Sequence, residues 1–180
     1  MRKIIFCVLL SFSLCACTTY KYVITPVKTG TENSYFKADI KFIAKGKPNL
    51  LNGILLSVHN KTDKDIELVW DKTLYIKDGQ TSGGFMFEGV VYKDRNETKQ
   101  NDIIFANSNF QKVIYPNNLV IMTDSAAMAS VLGCGSVYGQ SRQWCHDTFR
   151  KGIHGIYLTL KVEEKVIHET ITYQLNHVKE

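Results

Sequence analysis

Residues 18–180 predict an all-β fold, an antiparallel sandwich or barrel of about eight short strands. Three features point to it. Apolar and polar residues alternate with period two, most plainly at 35–44, where Phe36, Ala38, Ile40 and Phe42 are interleaved with Lys37, Asp39 and Lys41, the pattern of a strand with one wet face. Clusters of Gly, Asn, Asp and Pro punctuate the chain at short intervals, as turns between strands do. No long segment carries the 3.6-residue period of an amphipathic helix.

Residues 17–34 are polar and turn-rich, with Pro26, Gly30 and Asn33, and are expected to form a tether in which 20–27 can donate an edge strand. Fully extended, such a tether reaches at most roughly 50 Å. The strand at 35–44 ends at Gly46-Lys47-Pro48-Asn49, and 50–59 is more uniformly apolar, as suits a central strand. After the turn at 60–65 come two short strands, 66–70 and 73–77, closed by Asp78-Gly79. Gly83-Gly84 precedes a β-rich run at 85–92, and 94–102 is a charged, amide-rich loop. Strands follow at 103–106 and 110–115. The one expected helix, 124–132, is capped by Asp124, rich in Ala and closed by Gly133. Residues 133–151 are rich in Gly, Ser and Gln and predict a long loop, of the kind that in compact domains is functional or disordered. A hairpin of 155–162 and 165–175, turning at Glu163-Glu164, closes the chain.

The N-terminus has a different character. Arg2 and Lys3 lead an eleven-residue apolar run, 4–14, followed by small residues, which is the layout of a secretory signal. A spanning helix needs about 20 residues, so the signal helix is expected to be removed on maturation. Leu14-Cys15-Ala16-Cys17 resembles the bacterial lipobox. That resemblance implies cleavage before Cys17, diacylation of its sulfur and acylation, palmitate among the chains, of its new amine. Several acyl chains make such an anchor effectively permanent. Thr18 rather than Asp follows Cys17, which resembles the pattern sent on to the outer membrane in enteric-type bacteria. The expected layout is a signal peptide at 1–16, a lipidated tether at 17–34 and a sandwich at 35–180, on the periplasmic face of the outer membrane.

Removing residues 1–16 leaves 164 residues, and the formal charge of +5 falls to +3 as Arg2 and Lys3 leave. A chain of that length buries roughly 70% of its unfolded surface, so it needs no staple to fold. Its charges are interspersed, without the basic stripe of a nucleic-acid footprint, so nucleic acid is not an expected partner.

The stretches Ser57-Val58-His59-Asn60-Lys61-Thr62-Asp63 and Leu68-Val69-Trp70-Asp71-Lys72-Thr73, with Gly83-Gly84-Phe85 beyond them, resemble a group of small bacterial lipoproteins. Their shared pattern is an Asn-Lys-Thr turn followed by a Trp-Asp/Asn-Lys strand. The resemblance spans about residues 50–120 and implies an immunoglobulin-like or LEA-14-like sandwich, with no chemistry attached.

Candidate chemistry concentrates at 133–151. Cys145-His146-Asp147 offers a nucleophile, a base and an orienter, yet sequence neighbours seldom face one another in catalytic geometry. Cys134, Cys145, His146 and His154 have zinc-ligand chemistry without a recognised spacing. Trp70 and Asp71 suit a binding spot or, more in keeping with a strand pair, a core plug. Phe85-Met86-Phe87 suits an exposed patch or a half-buried strand. His59, His168 and His177 are scattered, as satisfied strand residues are. No catalytic residue, cofactor or metal is therefore assigned. With Cys7 and Cys15 lost and Cys17 acylated, Cys134 and Cys145 are the remaining thiols in an oxidising compartment. They are expected to form a disulfide closing a 12-residue loop, for about 3 kcal/mol of stabilisation. The bridge would present Arg142, Trp144, His146 and Asp147 as a candidate binding loop. The expected function is a non-enzymatic, lipid-anchored accessory or assembly factor that binds an envelope protein through a strand edge or this loop. The alternative is a metal-binding, small-ligand-binding or thiol-enzyme lipoprotein using the same loop.

Overall fold

A computed structural model describes residues 20–47, 49–87, 90, 92–123, 128, 131–132 and 143–179. Its strands are β1 (Tyr20–Lys28), β2 (Thr31–Glu32), β3 (Phe36–Ile43), β4 (Gly53–Asn60), β5 (Ile66–Leu68), β6 (Leu74–Lys77), β7 (Gln80–Thr81), β8 (Phe85–Phe87), β9 (Asp102–Ile104), β10 (Asn109–Pro116), β11 (Val120–Thr123), β12 (Gln143–His146), β13 (Gly152–Val162) and β14 (Lys165–Lys179). A seven-stranded sheet runs β1-β14-β13-β5-β9, with β6 also on β13 and β7 on β6. A five-stranded sheet runs β2-β3-β4-β10-β8, and β11 and β12 form a separate pair. All are antiparallel. The protein is an all-β sandwich.

Alternation builds the core. Phe36, Ala38, Ile40 and Phe42 of β3 are buried and the residues between them exposed. Ile54, Leu56 and Val58 of β4 share one apolar cluster with Ile156, Leu158, Leu160 and Val162 of β13 and Ile171 and Leu175 of β14. At about 25 cal/mol per Å² of apolar surface removed from water, such inward rows are the main favourable term. β4 is central, paired on one side with β3 and on the other with β10. The β13–β14 hairpin turns where expected, with Val162 opposite Lys165 and Glu163 at φ +53°. Asp78 (φ +50°) and Gly79 (φ +82°) join β6 to β7, and positive φ at both positions is what a two-residue hairpin requires. Gly155 on β13 lies so close to β14 that a Cβ would meet the Ile171 carbonyl oxygen at 2.0 Å.

Several expectations are revised. The sandwich begins at Tyr20 rather than at 35, because Tyr20–Lys28 of the expected tether forms the edge strand β1 along β14. The Tyr22 hydroxyl donates to the Phe149 carbonyl at 2.8 Å and its ring meets His177 edge-on at 4.5 Å, which fixes β1 in place. Fourteen strands are described where about eight were expected, the extra ones being mostly two- to four-residue pieces. Residues 66–70 and 73–77 do not pair with each other. β5 and β6 both lie on β13, and a 3-10 turn, Trp70–Lys72, bulges between them. Thr159 holds that bulge, donating to the Lys72 carbonyl at 2.7 Å and receiving the Val69 N–H at 3.0 Å. Among the described residues of the run 85–92, Phe85–Phe87 is strand and Tyr92 opens a 3-10 turn, and Phe85 and Met86 are buried; 88, 89 and 91 lie outside the described residues. Part of the expected 133–151 loop is strand β12. Of the expected helix at 124–132, Met128, Val131 and Leu132 are helical and the rest lies outside the described residues. The signal segment, with Cys17, also lies outside them.

Candidate functional site

The candidate loop begins its described course at Gln143. β12 pairs Cys145 with Ile121 and His146 with Val120, and the Asp147 N–H donates to the Leu119 carbonyl at 2.7 Å. This small pair of strands is fastened to the sandwich by Asn52, 1% exposed, which precedes β4. Its Nδ2 donates to the carbonyls of Leu132 (3.0 Å) and His146 (3.4 Å), and its Oδ1 accepts the Lys45 N–H at 2.8 Å. One buried amide so joins three segments, and nothing in its local sequence announces it.

The predicted site residues end in different places. His146 is not presented to solvent. It is 6% exposed and stacks on Tyr115, ring centroids 3.8 Å apart and planes 8° from parallel. Burial, with Lys45 nearby, pushes its pKa down to about 4, so it is neutral at ordinary pH. Cys145 is buried too. Asp147 spends Oδ1 on the Thr148 N–H at 2.8 Å and faces Arg150 with Oδ2 at 3.7 Å. Trp144 lies on β12 opposite Met122; Arg142 and Cys134 lie outside the described residues.

His154 is a core residue. Its Nε2 lies 2.8 Å from the Arg150 carbonyl, which can only accept, so Nε2 carries the proton and Nδ1 accepts from the Tyr75 hydroxyl. Both nitrogens are occupied, and the ring sits edge-on to Phe42 and Phe149. Desolvation lowers its pKa and raises that of Tyr75. In this arrangement neither ring nitrogen of His154 is turned to a metal. Among the described residues no three His, Cys, Asp or Glu converge to hold a metal ion.

Trp70 is the core plug of the two options, 3% exposed. Its Nε1–H donates to Asp102 at 2.8 Å, its ring lies 4.5 Å from Phe87, and Lys112 sits over both rings while pairing with Asp102. The Asn-Lys-Thr turn is explained in the same way. Asn60, 0% exposed, donates through Nδ2 to the carbonyls of Lys64 (2.7 Å), Ile104 (3.1 Å) and Phe105 (3.0 Å), and accepts from Thr62 N–H and hydroxyl.

Two surface features remain. A cleft of about 210 Å³ lies at the Trp70–Asp71 spot weighed from the sequence, with Gly84, Arg95, Lys99 and Asn117. Its cations are spent on its own walls: Lys99 Nζ is held by the carbonyls of Asp94, Arg95 and Glu97, and Arg95 stacks on Tyr92 at 4.1 Å. The second is the corner at the far edge of the seven-stranded sheet. There Ile103 of β9 is 49% exposed and Phe105, just beyond it, 68%. Alternation marks Ile104 as inward and Ile103 as outward, but it takes the sheet order to show that among the described residues no strand follows β9. No family model matches this chain, and no curated protein matches it.

Proposed function

We propose that this is a lipid-anchored, non-enzymatic protein of the bacterial outer membrane, acylated at Cys17 and facing the periplasm, which binds another envelope protein through the β9 edge of its sandwich. The observation that carries the binding surface is the pair Ile103 and Phe105, large apolar side chains left exposed on and just beyond the edge strand β9. Unpaired edges and apolar patches are where partners add. The 133–151 loop loses ground as the binding surface because His146 is stacked inside the fold. The thiol and zinc alternatives are weakened by the burial of Cys145 and His146 inside the fold, and a bonded Cys145 is in keeping with that. With the signal removed and Cys17 acylated, Cys134 is the half-cystine the sequence leaves for it, so a Cys134–Cys145 bridge belongs to the proposal.

The test is crosslinking and co-purification from native membranes. Ile103→Thr/Phe105→Ser should lose the crosslinked partner, and Arg142→Ala/Trp144→Ala should keep it. The reverse result moves the interface to the loop and overturns the proposal. Cys17→Ala should leave unprocessed or soluble protein, and normal maturation and fractionation of that variant would refute the anchor.

A further inference from the structure

We propose that the end of the sandwich next to the anchor is a membrane-contact surface, which lies on anionic phospholipid headgroups through a cluster of Lys and Arg. The proposal rests on lipidation at Cys17. It reverses the expectation of a long tether, because β1 starts at Tyr20. Three residue steps separate the acylated sulfur's residue from a strand already paired in the sheet, and they span at most about 11 Å. The headgroup layer occupies about 5–8 Å on each side of the hydrocarbon, so this end of the domain cannot stand clear of the lipid.

What it presents there is basic. Tyr20 pairs with Lys179 and Lys21 with Val178. The Tyr22–Phe149 hydrogen bond brings the 149–152 segment alongside, with Arg150 and Lys151 exposed just before Gly152, which faces Leu175 of β14. Lys77 at the end of β6 is opposite His154. The 44–52 loop, tied in by the Phe149 N–H to Leu51 carbonyl bond at 2.8 Å, adds Lys45 and Lys47. The acids described beside them are Asp78 and Asp147. Asp78 Oδ1 accepts the Ile153 N–H, and Asp147 is engaged with Thr148 and Arg150.

The opposite end mixes acids with its cations. Glu163 and Glu164 form its turn, and Lys61 and Lys37 pair with Glu32 at 3.1 and 3.6 Å and Lys64 with Glu163 at 3.7 Å. Each Lys or Arg near an anionic surface strengthens attraction roughly five-fold, with a reach of a Debye length. The anchor supplies the proximity, and the charge supplies the orientation, with β13 and β14 leading away from the bilayer.

The experiment reconstitutes the mature lipoprotein, purified from membranes, into vesicles of phosphatidylcholine with or without phosphatidylglycerol. Amine-reactive labelling is then read residue by residue by mass spectrometry. Lys151 and Lys179 should label several-fold more slowly on phosphatidylglycerol vesicles than on phosphatidylcholine alone, and high salt should abolish the difference. Lys165 at the far end should label equally on both. Equal rates for Lys151 and Lys179 on the two vesicle types would overturn the surface. Failure of the protein to float with phosphatidylcholine vesicles would instead refute the anchor, and flotation with phosphatidylglycerol vesicles alone would leave the basic surface standing without it.

Discussion

Two buried asparagines stand at the two ends of β4, and they hold the molecule in different ways. Asn60, at the end where the β13–β14 hairpin turns, gathers carbonyls four to 45 residues away. Asn52, at the end next to β1, reaches carbonyls 80 and 94 residues away. Asn60 closes a turn inside the sandwich proper; Asn52 fastens an added layer, β11 and β12, to its outside. The strength of an amide clamp is set less by its own chemistry than by whether its partners belong to the cooperative core.

The largest effect should come from Asn60→Leu. It removes the amide from the Ile104 carbonyl and the Thr62 N–H, at about 1–3 kcal/mol for each buried group left unpaired, while the Lys64 carbonyl keeps the Thr62 hydroxyl and the Phe105 carbonyl keeps Ser108; a net loss of about 4 kcal/mol is expected. Urea unfolding measures it, and a loss under about 1 kcal/mol would show that water replaces the amide.

A second, smaller effect is a pH dependence confined to the Asn52 end. The folded pKa of His146, about 4, lies below the ordinary 6.5, so the unfolded chain takes up the proton first as pH falls. The stabilisation is complete above pH 6.5 and is lost on going down to about pH 4, by about 3 kcal/mol. His154, also shifted down, acts in the same direction. His146→Phe keeps the stack on Tyr115 and should flatten the acid slope. Parallel slopes for wild type and variant would place His146 in water.

Asn52→Leu should have the smallest effect, about 2 kcal/mol, since one of its two donor bonds is long. Its signature is locality. Amide exchange should quicken in Val120–Thr123 and around Cys145 while the β13–β14 hairpin keeps its protection. Uniform loosening would mean that the added layer is part of the core after all.

The same contrast explains what the sequence could reveal. β3, β4, β13 and β14 were legible because each buries one face and therefore alternates, and because Asp78-Gly79 and Glu163-Glu164 end their strands as turn residues do. Trp70 was legible as a plug for similar reasons. β11 and β12 were not, since four-residue strands show too few periods, and their pairing joins segments some 20 residues apart. β1 was legible as a strand that 20–27 could donate to an edge, but not as the start of the sandwich, for an edge strand with Val23, Ile24 and Val27 exposed keeps no clean alternation. His146 sits among polar residues, and the ring that buries it, Tyr115, is 31 positions away. Asn60 was visible as a turn residue, but two of the carbonyls it satisfies, those of Ile104 and Phe105, lie 44 and 45 residues away at the end of β9.

The placement of β1 also fixes how the domain carries load. β1 and β9 are the two opposite ends of the main strand order of the seven-stranded sheet, so a tension applied between Tyr20 and the Phe105 corner crosses every ladder between them. At the Tyr20 end the pull runs along the axis of β1, and its register with β14 spans Tyr20 to Lys28. Those pairs are strained together in shear rather than opened one after another like a zipper.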